Sequence, residues 1–288
     1  MLLNKIILLT GANGQLAQEF QRILSKKGTE YISLPREKLD ITNFEEAKAV
    51  IKEVKPDILI NCAAYNLVDK AEEAPYLAYA VNRDGVENLA LLSVKFNIFL
   101  IHFSTDYIFD GKKEDFYVEE DLPNPINRYG ESKLEGEEVI KKNLKDFLIF
   151  RVSWVIGRGK RNFLYKVFNW SKGERILRVS CDEVSVPTYT EDIVNITLLA
   201  LNKGLSGIYH LTNSGYCSRY EFAKYFVKKM RLNNLLIPVS ANIFNTPAKR
   251  PLFSAMSNAK ISKELNISIP EWENGVERFV RIFKEEFL

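Results

Sequence analysis

Short apolar runs alternate with amphipathic segments over the first half of the chain. The apolar runs have the length of strands and lie at residues 5–10, 30–34, 57–62, 99–103 and 147–152. The segments between them carry apolar residues at helical spacing and lie at residues 18–24, 42–54, 75–92 and 129–142. Strands that are apolar throughout and alternate with helices are typical of a parallel sheet covered on both faces. The pattern predicts an α/β fold with a doubly wound parallel sheet.

The alternation loosens beyond residue 153. We expect further helices at 162–170, 187–201 and 218–230, a strand at 176–179 and a final amphipathic helix from about residue 272. Capping-box sequences at Thr42–Glu45 and Ser218–Glu221 are expected to begin two of the helices. The run 207–211 is expected to return to the main sheet, and the proline-containing stretch 238–270 to be irregular.

These elements predict two interleaved parts. The first is a Rossmann-type dinucleotide-binding domain over residues 1–153, with a return strand and helix near 186–213. The second is a smaller C-terminal substrate-binding lobe formed by residues 154–185 and 214–288.

A glycine turn follows the first predicted strand, with the sequence Gly-Ala-Asn-Gly-Gln-Leu-Ala at residues 11–17. In dinucleotide-binding folds such glycines let backbone N–H groups approach a pyrophosphate, and the following helix adds a favourable dipole. Ala17 stands where a third glycine often permits close helix packing, and it is small enough to serve there. An ordinary strand-to-helix turn is the alternative.

The second predicted strand bears on the choice of cofactor. An acid at its end would hold the ribose 2′-hydroxyl of NAD, whereas an arginine nearby accommodates the 2′-phosphate of NADP. No acid directly follows Leu34, and Arg36 stands close. The sequence therefore favours NADP(H) over NAD(H), with a solvent-facing role for Arg36 as the alternative.

Tyr129 and Lys133 lie four residues apart in a segment rich in helix-forming residues, so they share one helix face. A neighbouring ammonium favours phenolate and is expected to lower the pKa of Tyr129, which makes this residue a candidate general acid for carbonyl reduction. Ser104 and Thr105 end the preceding strand, at the edge where such sheets bind ligands. Taken alone, this spacing also occurs by chance on solvated helices.

Composition narrows the classes of function. The net charge of +3 is small, and the basic residues of the chain are dispersed among acidic ones, which argues against binding of nucleic acid. No apolar run has the length of a bilayer span or of a signal peptide, so we expect a cytoplasmic protein without membrane contact. Three widely spaced cysteines and two histidines inside apolar runs argue against disulfides, a histidine-based metal centre and a histidine-dependent triad.

The chain resembles the extended short-chain dehydrogenase/reductases and, within them, the dTDP-4-dehydrorhamnose reductase family. The matching runs are residues 11–16, 61–65 with 68–72, 104–111, 129–137, 151–154, and Arg250-Pro251 with Ser254. They follow the expected order over nearly the whole chain. The resemblance implies NADPH-dependent reduction of the C4 keto group of dTDP-4-dehydro-L-rhamnose to dTDP-L-rhamnose.

The resemblance also implies roles for individual residues. Tyr129 would protonate the C4 oxygen as hydride arrives, Lys133 would hold the nicotinamide ribose, and Thr105 would hydrogen-bond the carbonyl. The residues expected to bind the cofactor are Gly11, Asn13, Gly14, Gln15, Leu16, Arg36, Asp40, Ile41, Cys62, Ala63, Ala64, Tyr65, Asn82, Tyr129 and Lys133. Those expected to bind the dTDP-sugar are Asn66, Val68, Thr105, Asp106, Tyr107, Trp154 and Arg250.

Several expectations stay open at this point. Asn66 stands where the family usually has threonine, which leaves the sugar open. Some relatives bind Mg²⁺ between subunits; Glu19 and Glu191 match two of the acidic positions, but Ile282 falls at the third, so both a monomer and a homodimer are considered. The alternative functions are a nucleotide-sugar 4-ketoreductase with another product, and a non-catalytic NADP-binding regulatory subunit like the β subunit of methionine adenosyltransferase.

Overall fold

A computed structural model describes residues 5–287. The strands of this part are, in chain order, β1 (Ile7–Thr10), β2 (Tyr31–Leu34), β3 (Ile58–Asn61), β4 (Phe99–Thr105), β5 (Phe147–Val152), β6 (Val155–Ile156), β7 (Ile176–Ser180), β8 (Val184–Ser185), β9 (Thr188–Tyr189), β10 (Gly207–His210), β11 (Cys217–Ser218) and β12 (Leu235–Val239). The α-helices are α1 (Gln15–Lys27), α2 (Phe44–Val54), α3 (Val68–Glu73), α4 (Pro75–Tyr79), α5 (Gly85–Phe96), α6 (Arg128–Asn143), α7 (Phe163–Gly173), α8 (Thr190–Lys203), α9 (Arg219–Met230), α10 (Ala259–Leu265) and α11 (Trp272–Phe287).

Six strands form one parallel sheet in the order β2-β1-β3-β4-β5-β10. The return of residues 207–210 to this sheet is confirmed, since Ile208 pairs with Ile149 and Tyr209 with Phe150 of β5. The predicted doubly wound parallel sheet is therefore confirmed.

Alternate residues of each strand bury opposite faces of the sheet, because successive side chains of a strand point to opposite sides. In β1, Ile7 and Leu9 pack with α1 and α8, whereas Leu8 packs with α2 and α5. Both faces are thus covered by helices, which explains why the strands are apolar throughout.

A second core is formed by other elements that follow β5. It is built from α7, α9 and α11 packed on β7, and it is rich in aromatic side chains. Phe283 of α11 lies at its centre, with its ring 4.8 Å from that of Phe168. The parallel strands β7 and β12 pair although 58 residues lie between Ile176 and Leu235, the first residues of the two strands.

Two details of the sequence prediction were wrong. The capping residue of α2 is Asn43 rather than Thr42, since the Asn43 side chain accepts from the N–H of Glu46 and the Thr42 hydroxyl donates to Asp40 instead. The stretch 238–270 contains α10 and the end of β12, so it is not irregular throughout. The capping box at Ser218 and Glu221 is confirmed.

No helix between residues 5 and 287 combines the length and the hydropathy that are needed to cross a bilayer.

Candidate active site

The glycine turn and the loop after β3 meet at the carboxyl edge of the sheet. Gly11 has φ +65°, and a Cβ at this position would lie 2.9 Å from the backbone N and Cα of Ala63. Gly14 precedes α1 without a side-chain cap, and the first turn of α1 contains no acidic residue. The start of α1 therefore presents N–H groups and a positive dipole end at this edge.

Asn82 ties the loop after β3 to helix α6. Its amide accepts from the N–H of Tyr65 at 2.9 Å and donates to the carbonyl of Tyr65 at 3.0 Å and to the hydroxyl of Ser132 at 3.0 Å. Gly136 lets α6 approach this residue, since a Cβ there would lie 2.2 Å from the carbonyl oxygen of Asn82. Asn82 thus joins the loop at residues 62–66 to the helix that carries Tyr129.

The other residues predicted to bind the cofactor lie around this edge. Arg36 is exposed and its Nε donates to Asp40 at 3.1 Å. Burial opposes the charge of Asp40, but hydrogen bonds from Thr42 and Arg36 outweigh it and lower the pKa of that carboxyl. Gln15 donates to the carbonyl of Val155 at 3.0 Å. Asn13 is exposed, Leu16, Cys62 and Ala64 are half-buried, and Ile41 is buried.

Tyr129 is half-buried, at the second position of α6, and its ring meets that of Tyr107 edge-on with centroids 5.9 Å apart. Burial raises the pKa of Tyr129, while the Thr105 hydroxyl acts in the opposite direction. The side chain of Lys133 is buried, and burial lowers its pKa to about 8.

The predicted lowering of the Tyr129 pKa by Lys133 is therefore wrong for this structure. The Nζ of Lys133 donates to the carbonyl of Phe103 at 2.6 Å and lies 3.2 Å from Nε2 of His102. Burial of the phenol outweighs the favourable neighbours, and Lys133 is not among the groups that shift it. At neutral pH Tyr129 is protonated.

Asp106 connects the sheet to the elements after β5. It is 2% exposed, and its carboxylate accepts from Ser254 at 2.6 Å, from Ser185 at 2.9 Å and from Thr105 at 3.2 Å. Burial raises the pKa of Asp106, and the three hydroxyl groups oppose this rise. The Asp106 carboxylate thus holds Thr105, which lies next to Tyr129, and it also binds Ser185 and Ser254 from the predicted C-terminal lobe.

A cavity of about 920 Å³ opens beside this edge. Among residues 5–287, its basic lining residues are Arg161, Lys166, Arg178, Arg219, Lys249 and Arg250, against a single acidic lining residue, Glu183. Its aromatic lining residues are Trp154, Phe163, Trp170 and Phe244. A positive cavity with aromatic walls suits a ligand that combines rings with negative charge.

Of the residues predicted to bind the sugar nucleotide, the cavity wall includes Trp154 and Arg250. The phenol of Tyr107 lies close enough for the charges of Arg219 and Arg250 to act on its pKa, which burial raises. Asn66 is exposed and Val68 half-buried at the start of α3. Tyr107 thus lies beside Tyr129 and close to two arginines of the cavity wall.

Arg250 is already bound by protein groups. Its guanidinium donates to Asp69 at 2.7 Å, to the hydroxyl of Thr246 at 2.8 Å and to the carbonyl of Ala248 at 2.9 Å. Trp154 has φ +38°, which is unusual for a residue with a side chain. The guanidinium of Arg219 stacks over its ring.

Glu19 and Glu191 lie together but are bridged by arginines. Arg22 binds Glu19 at 2.5 Å and Glu191 at 3.4 Å, and Arg278 lies 3.6 Å from Glu191. Within residues 5–287 no group of three or more His, Cys, Asp or Glu side chains is arranged to hold a metal ion.

Apart from Arg250, sequence reasoning missed the basic residues of the cavity. Arg161, Lys166, Arg178 and Arg219 come from separate elements and share no motif. The capping box before α9 placed Arg219 at a helix start, but nothing in the sequence linked that helix to the site. The contact of His102 with Lys133 and that of Asn82 with Ser132 of α6 were likewise not predicted.

Comparison with known proteins agrees with this architecture. A family model described as the RmlD substrate binding domain matches residues 5–285. The spore coat polysaccharide biosynthesis protein SpsK of Bacillus subtilis is 34% identical, with 96% of each chain covered. The dTDP-4-dehydrorhamnose reductase of Sinorhizobium fredii is 37% identical over 94% of this chain and 95% of that protein.

A solved structure matches over nearly the same span. The crystal structure of dTDP-4-dehydrorhamnose reductase from Bacillus anthracis in complex with NADP has a TM-score of 0.94 at 34% identity, covering 96% of this chain and 99% of that one. The resemblance inferred from the motifs is therefore confirmed. The chain belongs to the dTDP-4-dehydrorhamnose reductase family of extended short-chain dehydrogenase/reductases and is an NAD(P)H-dependent oxidoreductase of that type.

Proposed function

We propose that this protein reduces the C4 keto group of dTDP-4-dehydro-L-rhamnose to dTDP-L-rhamnose with NADPH, and that Tyr129 donates the proton. The observation that carries the proposal is the position of Tyr129. It lies at the sheet edge with the Gly11 turn and Thr105, and its neighbour Tyr107 is close to Arg219 and Arg250, two residues that line a basic cavity of about 920 Å³.

The residues at the sheet edge fit a dinucleotide. The uncapped start of α1 suits a pyrophosphate, and Gly11 brings the turn onto the backbone of Ala63. When bound, the nicotinamide would supply the hydride. Arg36 is exposed and free to exchange Asp40 for a 2′-phosphate, which supports NADPH over NADH. The Bacillus anthracis relative was solved with NADP.

Tyr129 is suited to act as an acid. Its raised pKa keeps the phenol protonated at neutral pH, so it has a proton to give to an oxygen that gains negative charge. Thr105 acts on the same phenol and is held by Asp106, which is expected to orient both hydroxyl groups toward the carbonyl. Lys133 would contact the nicotinamide ribose.

The cavity supports a nucleotide sugar as substrate. A diphosphate requires cations, which the cavity wall supplies, and a thymine ring requires apolar or aromatic surface, which Phe163, Trp170 and Phe244 provide. Trp154 lines the cavity just beyond the carboxyl end of β5, and it is expected to lie against the sugar.

The test is an assay with NADPH and dTDP-4-dehydro-L-rhamnose, following loss of cofactor absorbance and identifying the product. Tyr129→Phe should lower kcat by roughly two to four orders of magnitude while NADPH still binds. Tyr225→Phe is the matched control, since its hydroxyl donates to Glu277, in α11 of the second core. Tight NADPH binding without turnover in the wild type would instead support the regulatory-subunit alternative. A different sugar product would support a ketoreductase of other specificity.

A further inference from the structure

A chain of buried polar side chains runs behind Lys133. Three of its members lie on neighbouring strands and are each 2% exposed or less: Thr10 on β1, Asn61 on β3 and His102 on β4. The sheet register places them side by side, with Thr10 opposite Asn61 and Asn61 opposite His102. Lys133 completes the chain from α6, with its Nζ 3.2 Å from Nε2 of His102. The reduction proposed above uses Lys133 but gives no role to the other three.

The backbone N–H of Ala63 determines the direction of these hydrogen bonds. An N–H group can only donate, and this one lies 3.1 Å from Oδ1 of Asn61. The Thr10 hydroxyl donates to the same oxygen at 2.6 Å. The amide oxygen of Asn61 therefore faces β1, and its NH2 group donates to Nδ1 of His102 at 3.1 Å.

The proton of His102 must then lie on Nε2. Burial is the main cause that holds the pKa of His102 well below its usual range, so the ring is neutral and carries a single N–H whether or not Lys133 is charged. Because Nδ1 accepts from Asn61, that N–H is at Nε2 and faces Nζ of Lys133. An amine can accept this hydrogen bond through its lone pair, whereas an ammonium has only donors.

Other groups act on the same ammonium. Glu137, one turn further along α6, favours the charged form, but its carboxylate is bound by Arg151 of β5 at 2.8 Å. Tyr129 on the same helix is a protonated phenol, and Asp106 after β4 is bound by three hydroxyl groups. The carbonyl of Phe103 accepts from Nζ at 2.6 Å in either state of the lysine. Burial acts in the same direction as His102, toward the neutral amine.

We propose that His102 is a positioning residue that controls the proton on Lys133: its Nε2–H, held in place by Asn61, favours the neutral amine over the ammonium. Protonation of Lys133 then requires the imidazole or the Asn61 amide to reverse, which disturbs the contact to Ala63 and the Gly11 turn. The charge of Lys133 is thereby coupled to the loop expected to hold the cofactor. Only the catalytic consequence of this coupling rests on the proposed function.

The first test is a measurement on the wild-type protein. The ¹⁵N chemical shifts of His102 in ¹⁵N-histidine-labelled protein distinguish the two neutral tautomers, and His102→Gln assigns the signals. We expect the Nε2–H tautomer at about pH 9, where Lys133, with its pKa of about 8, is mostly neutral. An Nδ1–H tautomer or a charged ring at that pH would overturn the proposal.

The second test measures the titration of Lys133 in lysine-labelled protein, assigned with Lys133→Arg. Asn61→Asp keeps acceptors for Thr10 and Ala63 but draws the His102 proton to Nδ1, so that Nε2 accepts from the ammonium. The midpoint of Lys133 should rise by at least about one pH unit. His102→Gln should also raise it, because its amide oxygen can face the ammonium.

The double variant with His102→Gln and Asn61→Asp distinguishes the effect of the imidazole from that of the negative charge that Asn61→Asp adds. With His102→Gln present, Asn61→Asp should shift the midpoint much less than it does alone. His210→Gln, which removes the other buried imidazole of the sheet, should leave it unchanged. Equal shifts with and without His102, or no shift in His102→Gln, would contradict the proposal. These signals do not depend on turnover, so they decide the question even if the protein fails to reduce the sugar.

Discussion

The guanidinium of Arg219 lies 3.6 Å from the ring centre of Trp154, and 4.9 Å from that of Phe163. The stack holds a planar cation in the wall of the cavity, at the residue expected to contact the sugar. No carboxylate of residues 5–287 forms an ion pair with Arg219, whereas Arg250 is bound to Asp69. Arg161 and Arg178 of the same wall form no ion pair within these residues either, so three arginines have donors available for the diphosphate, and Arg219 is the one that stacks on Trp154.

Arg219→Ala should raise KM for the dTDP-sugar by about tenfold or more, because hydrogen bonds to a charged group contribute about 1.5–3 kcal/mol. The Kd for NADPH should not change. Arg219→Lys should be intermediate, since it keeps the charge but loses the planar stack. Lys172→Ala, which removes a cation stacked on Phe168, is the control. An unchanged KM in Arg219→Ala would assign the diphosphate to other residues.

Arg36→Ala should weaken NADPH binding about tenfold while leaving NADH binding almost unchanged, because only NADPH carries the 2′-phosphate. The Kd values of both cofactors measure this directly. Lys38→Ala, at an exposed position two residues away, is the control for a general loss of positive charge. If the preference between the two cofactors survives in Arg36→Ala, the argument from the second strand fails.

Gly136→Ala should destabilise the protein and weaken NADPH binding. The new methyl group would lie 2.2 Å from the carbonyl oxygen of Asn82, and overpacking of this kind costs about 1–3 kcal/mol. Asn82 holds the loop at Tyr65, so its displacement should reach the cofactor site. Denaturant unfolding and NADPH titration measure the two effects. Gly173→Ala meets no atom within 4 Å and should be neutral; equal behaviour of the two variants would contradict the close approach.

The stability of the wild type relative to Lys133→Met should rise between about pH 8 and about pH 10.5. The pKa of Lys133 falls from its ordinary value of 10.5 to about 8 in the fold, because its side chain is buried. Below pH 8 both folded and unfolded chains carry the proton and the wild type bears the full cost of the buried charge. Between the two values the unfolded chain binds more protons, so the free energy of unfolding increases with pH.

Urea unfolding of both proteins at several pH values measures this difference. The variant has no titrating group at residue 133, so the other groups cancel in the comparison. A difference that stays constant across this range, or falls, would show that Lys133 keeps its ordinary pKa in the folded protein.

The sheet was predictable because its signals are local. Each strand is an apolar run bounded by a turn, and the alternation of these runs with helices predicts that the strands are parallel. The pairing of β7 with β12 was not predictable, since 58 residues lie between Ile176 and Leu235 and neither strand shows strict alternation.

In the candidate site, too, the residues placed by local signals were predictable and the contacts between distant segments were not. Gly11, Thr105 and Tyr129 lie where strand ends and helix starts place them, so the sequence brought them to one edge. The cation at Arg219 and the buried contact of His102 with Lys133 depend on packing between distant segments. The pKa of Tyr129 was predicted in the wrong direction because sequence spacing carries no information on burial, which dominates here.

Hydride transfer to C4 of the sugar is the central claim, and deuterium labelling tests it most directly. The protein would be incubated with dTDP-4-dehydro-L-rhamnose and NADPH deuterated at the transferable C4 position, and the product examined by NMR and mass spectrometry. We predict dTDP-L-rhamnose with a single deuterium at C4 of the sugar, and almost none formed by Tyr129→Phe over the same time. Oxidation of NADPH without deuterium in the sugar, or deuterium at another carbon, would contradict the account.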